Sequence, residues 1–211
     1  MKITATNIAS PRQITFKGRT ETTGIYKQPV ESGIFLGSED VANDEVTDRK
    51  HHGGLYKACY LFSGDHYAYW EELYPELDWQ YGMFGENITV SAMDDCKLTI
   101  GSIYAVGDAE IQITIPREPC YKLGVKFGSQ EIINQFVSHG FPGTYARVLK
   151  EGRVKPGDTF KLLKEVKNGI TTTQFFRLLY DKNKDIGHLK KALENEGVPP
   201  QKRNKLKKFL G

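Results

Sequence analysis

Along the first three quarters of the chain, apolar and polar positions alternate in short runs that stop at glycine or proline. Ile3 to Ile8 alternates, and Gly33-Ile34-Phe35-Leu36-Gly37 is a short apolar segment closed by glycines. Asn87 to Ser91 and Ile103 to Val106 are β-branched and bracketed by turn residues. Ala109 to Ile115 alternates cleanly and meets Pro116, which has no N–H to give to a ladder. Lys57 to Phe62 reads as a further apolar strand, and 152–160 as a turn-rich return strand around Pro156-Gly157-Asp158. Strands at intervals of roughly 10 residues favour an antiparallel barrel or sandwich over βαβ units.

Two helices are expected inside this region. Ser63 to Leu73 has a capping residue in Ser63 or Asp65 and ends before Pro75. Ser129 to Ser138 places Ile132, Ile133, Phe136 and Val137 at helical spacing, with Gly140 as its stop. After Lys164 the period changes for good. Thr171 or Thr172 can cap a helix bearing Phe175, Phe176, Leu178 and Leu179, a second helix runs from Asp185 to Glu196, and Pro199-Pro200 opens a third carrying Leu206, Phe209 and Leu210. The expected organisation is a β domain over 1–164 and a three-helix unit over 165–211.

Composition narrows the class. Hydrophobic residues make up 39% of the 211, aromatics 11%, enough for a core and too much for a disordered chain. The formal charge of +3 is unevenly spread: 182–211 holds nine Lys/Arg against three Asp/Glu. Such a tail can meet phosphate or an acidic partner, although solvated helix faces have the same composition. Cys59, Cys96 and Cys120 are odd in number and widely spaced, which argues against a disulfide scaffold and for a reducing, cytoplasmic setting. No apolar run approaches the roughly 20 residues that span a bilayer, and the first thirty residues hold no signal-peptide core.

Several chemistries are excluded by missing motifs: the chain has no GxGxxG, P-loop, HExxH or GxSxG. The segment Pro116-Arg117-Glu118-Pro119-Cys120-Tyr121-Lys122-Leu123 stands out instead. A strand delivers the chain to Pro116, Pro119 stiffens the approach, and Arg117 and Lys122 flank the thiol. Nearby cations favour the thiolate that a soft metal or a sulfur-transfer step requires. The same residues also fit a buried thiol packing as a small hydrophobe.

A second candidate is Asp48-Arg49-Lys50-His51-His52-Gly53-Gly54-Leu55-Tyr56-Lys57, where paired glycines let backbone N–H groups approach an anion; a polar turn between strands explains it equally. In Phe84-Gly85-Glu86-Asn87, Asn87 can bond a heterocycle or phosphate and Glu86 can orient Arg117 or a ring N–H, or Asn87 can serve a turn. Cys59 reads as core, Cys96 as an unreactive thiol in an acidic loop, and His66, His139 and His188 as isolated structural histidines. The aromatic stretch Tyr67, Tyr69, Trp70, Tyr74, Trp79 and Tyr81 can stack a planar base or pack a helix onto a barrel.

Taken in order, these segments resemble the MOSC domain, named for the C-terminal domain of molybdenum-cofactor sulfurase, and within it the YiiM-like group. The matching pieces are Gly24 to Val30, His52-Gly53-Gly54 with Lys57-Ala58, Phe84 to Thr89, Gly101, Gly107-Asp108-Ala109, Pro116 to Leu123 and Pro142 to Leu149. The Pro-Arg-x-Pro-Cys-x-Lys-Leu string is the specific element. Near Thr144 the family often carries a tryptophan that this chain lacks.

The resemblance implies a mainly β, Greek-key MOSC β-barrel followed by a small three-helix unit, and a molybdenum cofactor of the molybdopterin type. Cys120 matches the family's metal ligand and catalytic centre. Lys27, His52, Gly53, Gly54, Lys57, Asn87, Arg117 and Lys122 match cofactor-lining positions. The implied activity is an oxidoreductase that reduces N-hydroxylated bases such as hydroxylaminopurine by N–O cleavage, a detoxifying reaction. With no flavin, haem or Fe–S motif in the chain, electrons are expected from a separate reductase. A small N-hydroxylated substrate is the expected partner, neither membrane nor nucleic acid is expected, and a homodimer is allowed. The alternative is a sulfur or cofactor carrier that uses Cys120 without turnover.

Overall fold

In the computed structural model, residues 1–47, 49 and 53–210 are described. The alternating segments form β1 (Lys2–Ile8), β2 (Arg12–Phe16), β3 (Arg19–Thr23), β4 (Gln28–Pro29), β5 (Ile34–Leu36), β6 (Cys59–Ser63), β7 (Ile88–Ser91), β8 (Ile103–Val106), β9 (Ala109–Pro116), β10 (Thr144–Lys150), β11 (Gly152–Val154) and β12 (Lys161–Lys164). Eight of them build one curled sheet in the order β12-β8-β9-β10-β6-β7-β1-β4, while β5 pairs with β11 and β2 with β3. Both ends of the curl meet near the start of the chain. Ile3 N donates to Asp158 O at 2.8 Å, Gly157 N to Ile3 O at 2.9 Å and Phe160 N to Met1 O at 3.1 Å, just ahead of β12.

The antiparallel expectation fails at one pair: β6 and β7 run parallel, Leu61 opposite Ile88 and Ser63 opposite Val90. A parallel pair needs a crossover long enough to bring the chain back. The connection supplies it with a 3-10 turn, Gly64–His66, and α1 (Tyr67–Leu73). The helix expected from Ser63 therefore begins later. Ser63 ends a strand, and the Asp65 carboxylate accepts from Ala92 N at 2.9 Å instead of capping a helix. The return strand expected over 152–160 is split, with β11 and β12 separated by the turn at Pro156-Gly157.

Four features are absent from the sequence reading, among them β4 and the central strand β10; the other two shape the site. The β2–β3 hairpin turns at Lys17-Gly18, both at positive φ (49° and 75°), the twist a two-residue hairpin needs. The second is α2 (Tyr121–Lys126), which starts immediately after Cys120. Next, α3 (Glu131–His139) falls close to its expected span and stops at Gly140, a left-handed cap with φ 80°.

The C-terminal helices are α4 (Thr172–Tyr180), α5 (Ile186–Glu194) and α6 (Pro200–Leu206). Thr171 and Gln174 form a reciprocal capping box on α4, Asp185 caps α5 through His188 N at 2.7 Å, and Pro200 opens α6. Phe175, Phe176, Leu189, Val198 and Leu206 are buried in the same cluster as Ile3, Leu61, Ile88 and Ile111 of the sheet. Each such side chain contributes roughly 1.5–3 kcal/mol on leaving water. Asn195 fastens this layer: its amide donates to Ile100 O at 2.8 Å and its oxygen accepts from Gly197 N at 2.8 Å.

The aromatic stretch is packing, not a stacking platform. Trp70 is fully buried against Phe84 and Phe136, and Trp79 donates to Tyr74 O at 2.9 Å. Nor are His66 and His139 isolated: their rings lie 5.0 Å apart amid Tyr69 and Phe141. Burial pushes His66 down and His139 down to about 4, so both stay neutral near pH 7. His188 sits with its Nδ1 3.7 Å from Asp185. Among the described residues, no helix is long and apolar enough to cross a membrane.

Asp95 joins the sheet to α4. One carboxylate oxygen accepts from Gly143 N at 2.8 Å, the other has no partner, and burial pushes the group up to about 7. An acid raised in the folded state contributes stability below its unfolded value, and that contribution is lost as pH rises through 7. Asp95→Asn keeps the acceptor and removes the charge. Its melting temperature relative to the wild type is expected to be higher at pH 8 than at pH 4.5, and an identical difference at both pH values would contradict the assignment.

Candidate functional site

Pro116 closes β9, paired with Thr144 of β10, and the chain then turns through Arg117-Glu118-Pro119 to reach Cys120. Cys120 is extended (φ −131°, ψ 166°), half-buried, and precedes α2, where Leu123 N donates back to Cys120 O at 2.9 Å. The thiol stands where two chambers meet. The smaller, of about 80 Å³, includes Lys27, Asp44, Asn87, Arg117 and Tyr60 in its lining. The larger, of about 680 Å³, includes Gly54, Tyr56, Glu118, Pro200 and Lys202. Lys57, Cys120, Lys122 and Tyr145 line both.

Each buried cation on these walls is held by a segment distant in sequence. The Lys27 ammonium pairs with the Asp44 carboxylate, both side chains 7% exposed or less. Asp44 also accepts from the Asn87 amide at 2.8 Å and from Ala9 N at 2.8 Å, while the Asn87 oxygen accepts from Tyr60 N at 3.1 Å. Lys122 lies 3.3 Å from Glu21 of β3, and the Tyr121 hydroxyl donates to the other Glu21 oxygen. Phe16 stacks on Tyr121 with ring centroids 4.9 Å apart, so the β2–β3 hairpin is strapped over α2.

Among the described residues Arg117 has no carboxylate partner. It is buried, donates to Phe84 O, and sits 5.1 Å over the Tyr60 ring. Burial works against its charge, but Tyr60, Tyr145, Cys120 and Glu86 more than offset that, so its pKa lies above the ordinary value. Tyr145 is pushed up to about 12, mainly by burial, and keeps its proton at neutral pH. Lys57 sits 5.2 Å over the same Tyr145 ring.

The expectation that Glu86 orients Arg117 directly is corrected. Glu86 is fully buried and accepts from Gly82 N at 2.8 Å, Phe84 N at 3.1 Å, Thr89 Oγ at 2.8 Å and the Tyr67 hydroxyl. It shapes the loop whose Phe84 carbonyl then receives Arg117. The same loop holds Lys126, which donates to Gly82 O at 2.9 Å and Ile25 O at 3.2 Å and is pushed down to about 7 by burial. Gly24 is required beside it: a Cβ there would lie 1.9 Å from the Glu45 carbonyl oxygen.

Of the residues singled out in the sequence, Lys27, Lys57, Asn87, Arg117, Cys120 and Lys122 line the smaller chamber. Gly53 and Gly54 line the larger one only, and Gly54, at φ 88°, faces open space where a Cβ would stand. His52 lies outside the described residues. Asp44, Glu21, Tyr60 and Tyr145 were not singled out as site residues in the sequence because their roles arise from pairings across the fold. Cys59 is core, its thiol raised by burial, and Cys96 is exposed. Among the described residues no three His, Cys, Asp or Glu side chains cluster as metal ligands. A metal at Cys120 would therefore need to bring most of its ligands with it.

With this geometry in place, likeness to known proteins can be stated. The sequence profile of the MOSC domain matches residues 48–161. The YflK protein of Bacillus subtilis is 33% identical over 192 residues, covering 91% of this chain and 86% of that protein. A protein of Gibberella moniliformis named reductase is 36% identical over 145 residues, covering 67% of this chain but 26% of its own length. The crystal structure of YiiM from Geobacillus stearothermophilus superposes with a TM-score of 0.82 at 26% identity, covering 100% of this chain and 99% of that one.

Removing Asp44 leaves a buried ammonium without its counter-charge, a loss of about 3–5 kcal/mol for such pairs. Asp44→Ala is expected to lower the denaturant midpoint accordingly at unchanged slope, and Asp44→Ala with Lys27→Met to recover part of it. A single-variant loss below about 1 kcal/mol would show that the pair is not stabilising.

Proposed function

The chain belongs to the MOSC-domain family, and on that premise we propose that it is a molybdenum-cofactor-dependent oxidoreductase reducing N-hydroxylated bases and related N–O compounds. The observation that carries the reading is the position of Cys120, half-buried at the junction of two chambers whose shared rim holds Lys57 and Lys122. The reductase designation of the fungal relative points to the same class of chemistry, although this chain spans 26% of that protein.

The residues present fit a molybdopterin-type group. A thiolate is the soft ligand such a metal takes, and a lone cysteine suffices where the pterin dithiolene provides further sulfurs. Lys27, Asn87 and Arg117 on one side, and Gly53, Gly54 and Lys57 on the other, would hold its polar and anionic parts, with Lys122 between them. The open space at Gly54 lets backbone N–H groups approach an anion without a side chain intervening. When bound, the cofactor supplies the two-electron chemistry of N–O cleavage.

Reduction of R–NHOH takes two electrons and two protons and yields R–NH2 and water. The protein's own groups manage charge and protons. The Glu118 carboxylate lines the larger chamber, where one oxygen accepts from Lys202 Nζ and anchors that ammonium on the wall. Tyr145 remains a protonated hydroxyl at neutral pH, a hydrogen-bond donor on the wall shared by both chambers. Arg117 keeps the floor of the smaller chamber cationic, while the Lys27 charge is balanced there by Asp44. Electrons enter from a separate reductase, and the protein acts without a membrane or a nucleic-acid partner.

Protein produced in a cofactor-competent host is expected to carry molybdenum near one atom per chain and to reduce hydroxylaminopurine with a chemical electron donor. Cys120→Ala is expected to lose both the metal and at least about 100-fold in turnover. Wild-type protein without molybdenum, or undiminished turnover in Cys120→Ala, would overturn the proposal. A transferable sulfane sulfur without turnover would instead establish a carrier.

A further inference from the structure

The wall of the larger chamber opposite Cys120 is built by the C-terminal unit. Pro199, Pro200, Gln201, Lys202 and Lys205 of the α6 segment line the same cavity as Cys120 and Tyr121. Leu206 and Val198 anchor this segment by burial, and the Glu118–Lys202 ion pair ties it to the Cys120 loop. Of the five basic residues between 202 and 208, Lys202 and Lys205 line the chamber; Arg203, Lys207 and Lys208 do not.

Charge in the chamber is one-sided. Its described lining holds Lys57, Lys122, Lys202 and Lys205 against a single acid, Glu118. Glu118 is committed to Lys202, and Lys122 lies against Glu21. Lys205, one helical turn from Lys202, has no ion pair or side-chain hydrogen bond among the described residues. An uncharged base gives the Lys205 ammonium nothing to neutralise, whereas a phosphate placed between Lys202 and Lys205 does. The same lining includes Leu55, Tyr56, Ile115, Pro119, Pro199 and Pro200, apolar surface of the kind that receives a planar ring. At about 680 Å³ the chamber is well inside the range of small-molecule sites and large enough for more than a free base.

We propose that the larger chamber is a nucleotide site, in which Lys202 and Lys205 take a 5′-phosphate while the base lies toward Tyr56 and Cys120. This rests on the reading of Cys120 as the reaction centre for N-hydroxylated bases. Two sources share the chemistry: a substrate presented as a nucleoside monophosphate, or the nucleotide half of a dinucleotide form of the cofactor.

Calorimetric titration of the full chain with adenosine 5′-monophosphate, adenosine and inorganic phosphate tests the site without turnover. The monophosphate is expected to bind at least about tenfold more tightly than adenosine, and more weakly as salt rises. Lys205→Ala is expected to erase that preference, Lys205→Arg to keep it, and Lys207→Ala, outside the chamber, to leave it unchanged. Equal affinity for nucleotide and nucleoside, or a preference intact in both Lys205→Ala and Lys202→Ala, would overturn the proposal.

Nucleotide released on denaturing molybdenum-loaded protein would assign the site to the cofactor. Its absence, with a higher kcat/KM for the N-hydroxylated monophosphate than for the free base, would assign it to the substrate. Either result supports a nucleotide site. Phosphate-dependent binding without turnover sinks the reductase reading alone, and turnover indifferent to phosphate in protein that releases no nucleotide sinks the nucleotide site alone.

Discussion

A carboxylate sealed from water organises this site without touching it. Glu86 accepts four hydrogen bonds, two from backbone N–H groups of its own loop, one from Thr89 and one from the Tyr67 hydroxyl. A carboxyl group is tolerated at zero exposure only when its oxygens are hydrogen-bonded in this way. With the loop so fixed, the carbonyls of Phe84 and Gly82 face the chamber side and receive Arg117 and Lys126. The next residue, Asn87, bonds Asp44, which in turn pairs with Lys27. The cationic floor thus follows from the satisfaction of one buried carboxyl group.

The remaining cations obey a similar economy. Lys122 is balanced by Glu21 from the hairpin, and Lys202 by Glu118 from the Cys120 loop. Each pairing joins two segments far apart in sequence, so the electrostatics of the chambers and the docking of the peripheral elements are one problem. The hairpin, outside the main sheet, is held by Glu21 and by the stacking of Phe16 on Tyr121. The C-terminal helices are held by buried apolar side chains and the amide of Asn195.

Much of the scaffold was legible because its signals are local. Alternation in Ala109 to Ile115, the stop at Pro116, the capping pair Thr171 and Gln174, and the left-handed Gly140 each act within a few residues. The hairpin was hidden because Arg12 to Thr23 is almost wholly polar, with Ile14 as its one buried apolar side chain. Helix α2 was hidden by its brevity and by Gly124 in its middle. At the site, Cys120 and its flanking cations could be found from the chain itself. Asp44, Tyr60 and Tyr145 could not, because nothing near them in sequence says that 44 will meet 27 and 87, or that Tyr60 will lie under Arg117.

The meeting of the sheet's ends at Ile3 has a kinetic consequence. The edge of β1 at Lys2 and Ile3 finds its partners only at residues 157–160, a separation of more than 150 positions. During synthesis that edge must stay open until most of the chain has left the ribosome, exposing unpaired backbone and the apolar face of Ile3. Closing so long a loop costs entropy that no local contact returns early. The first strand made is among the last to be completed, and in that interval it presents a bare edge of the kind that pairs with another chain.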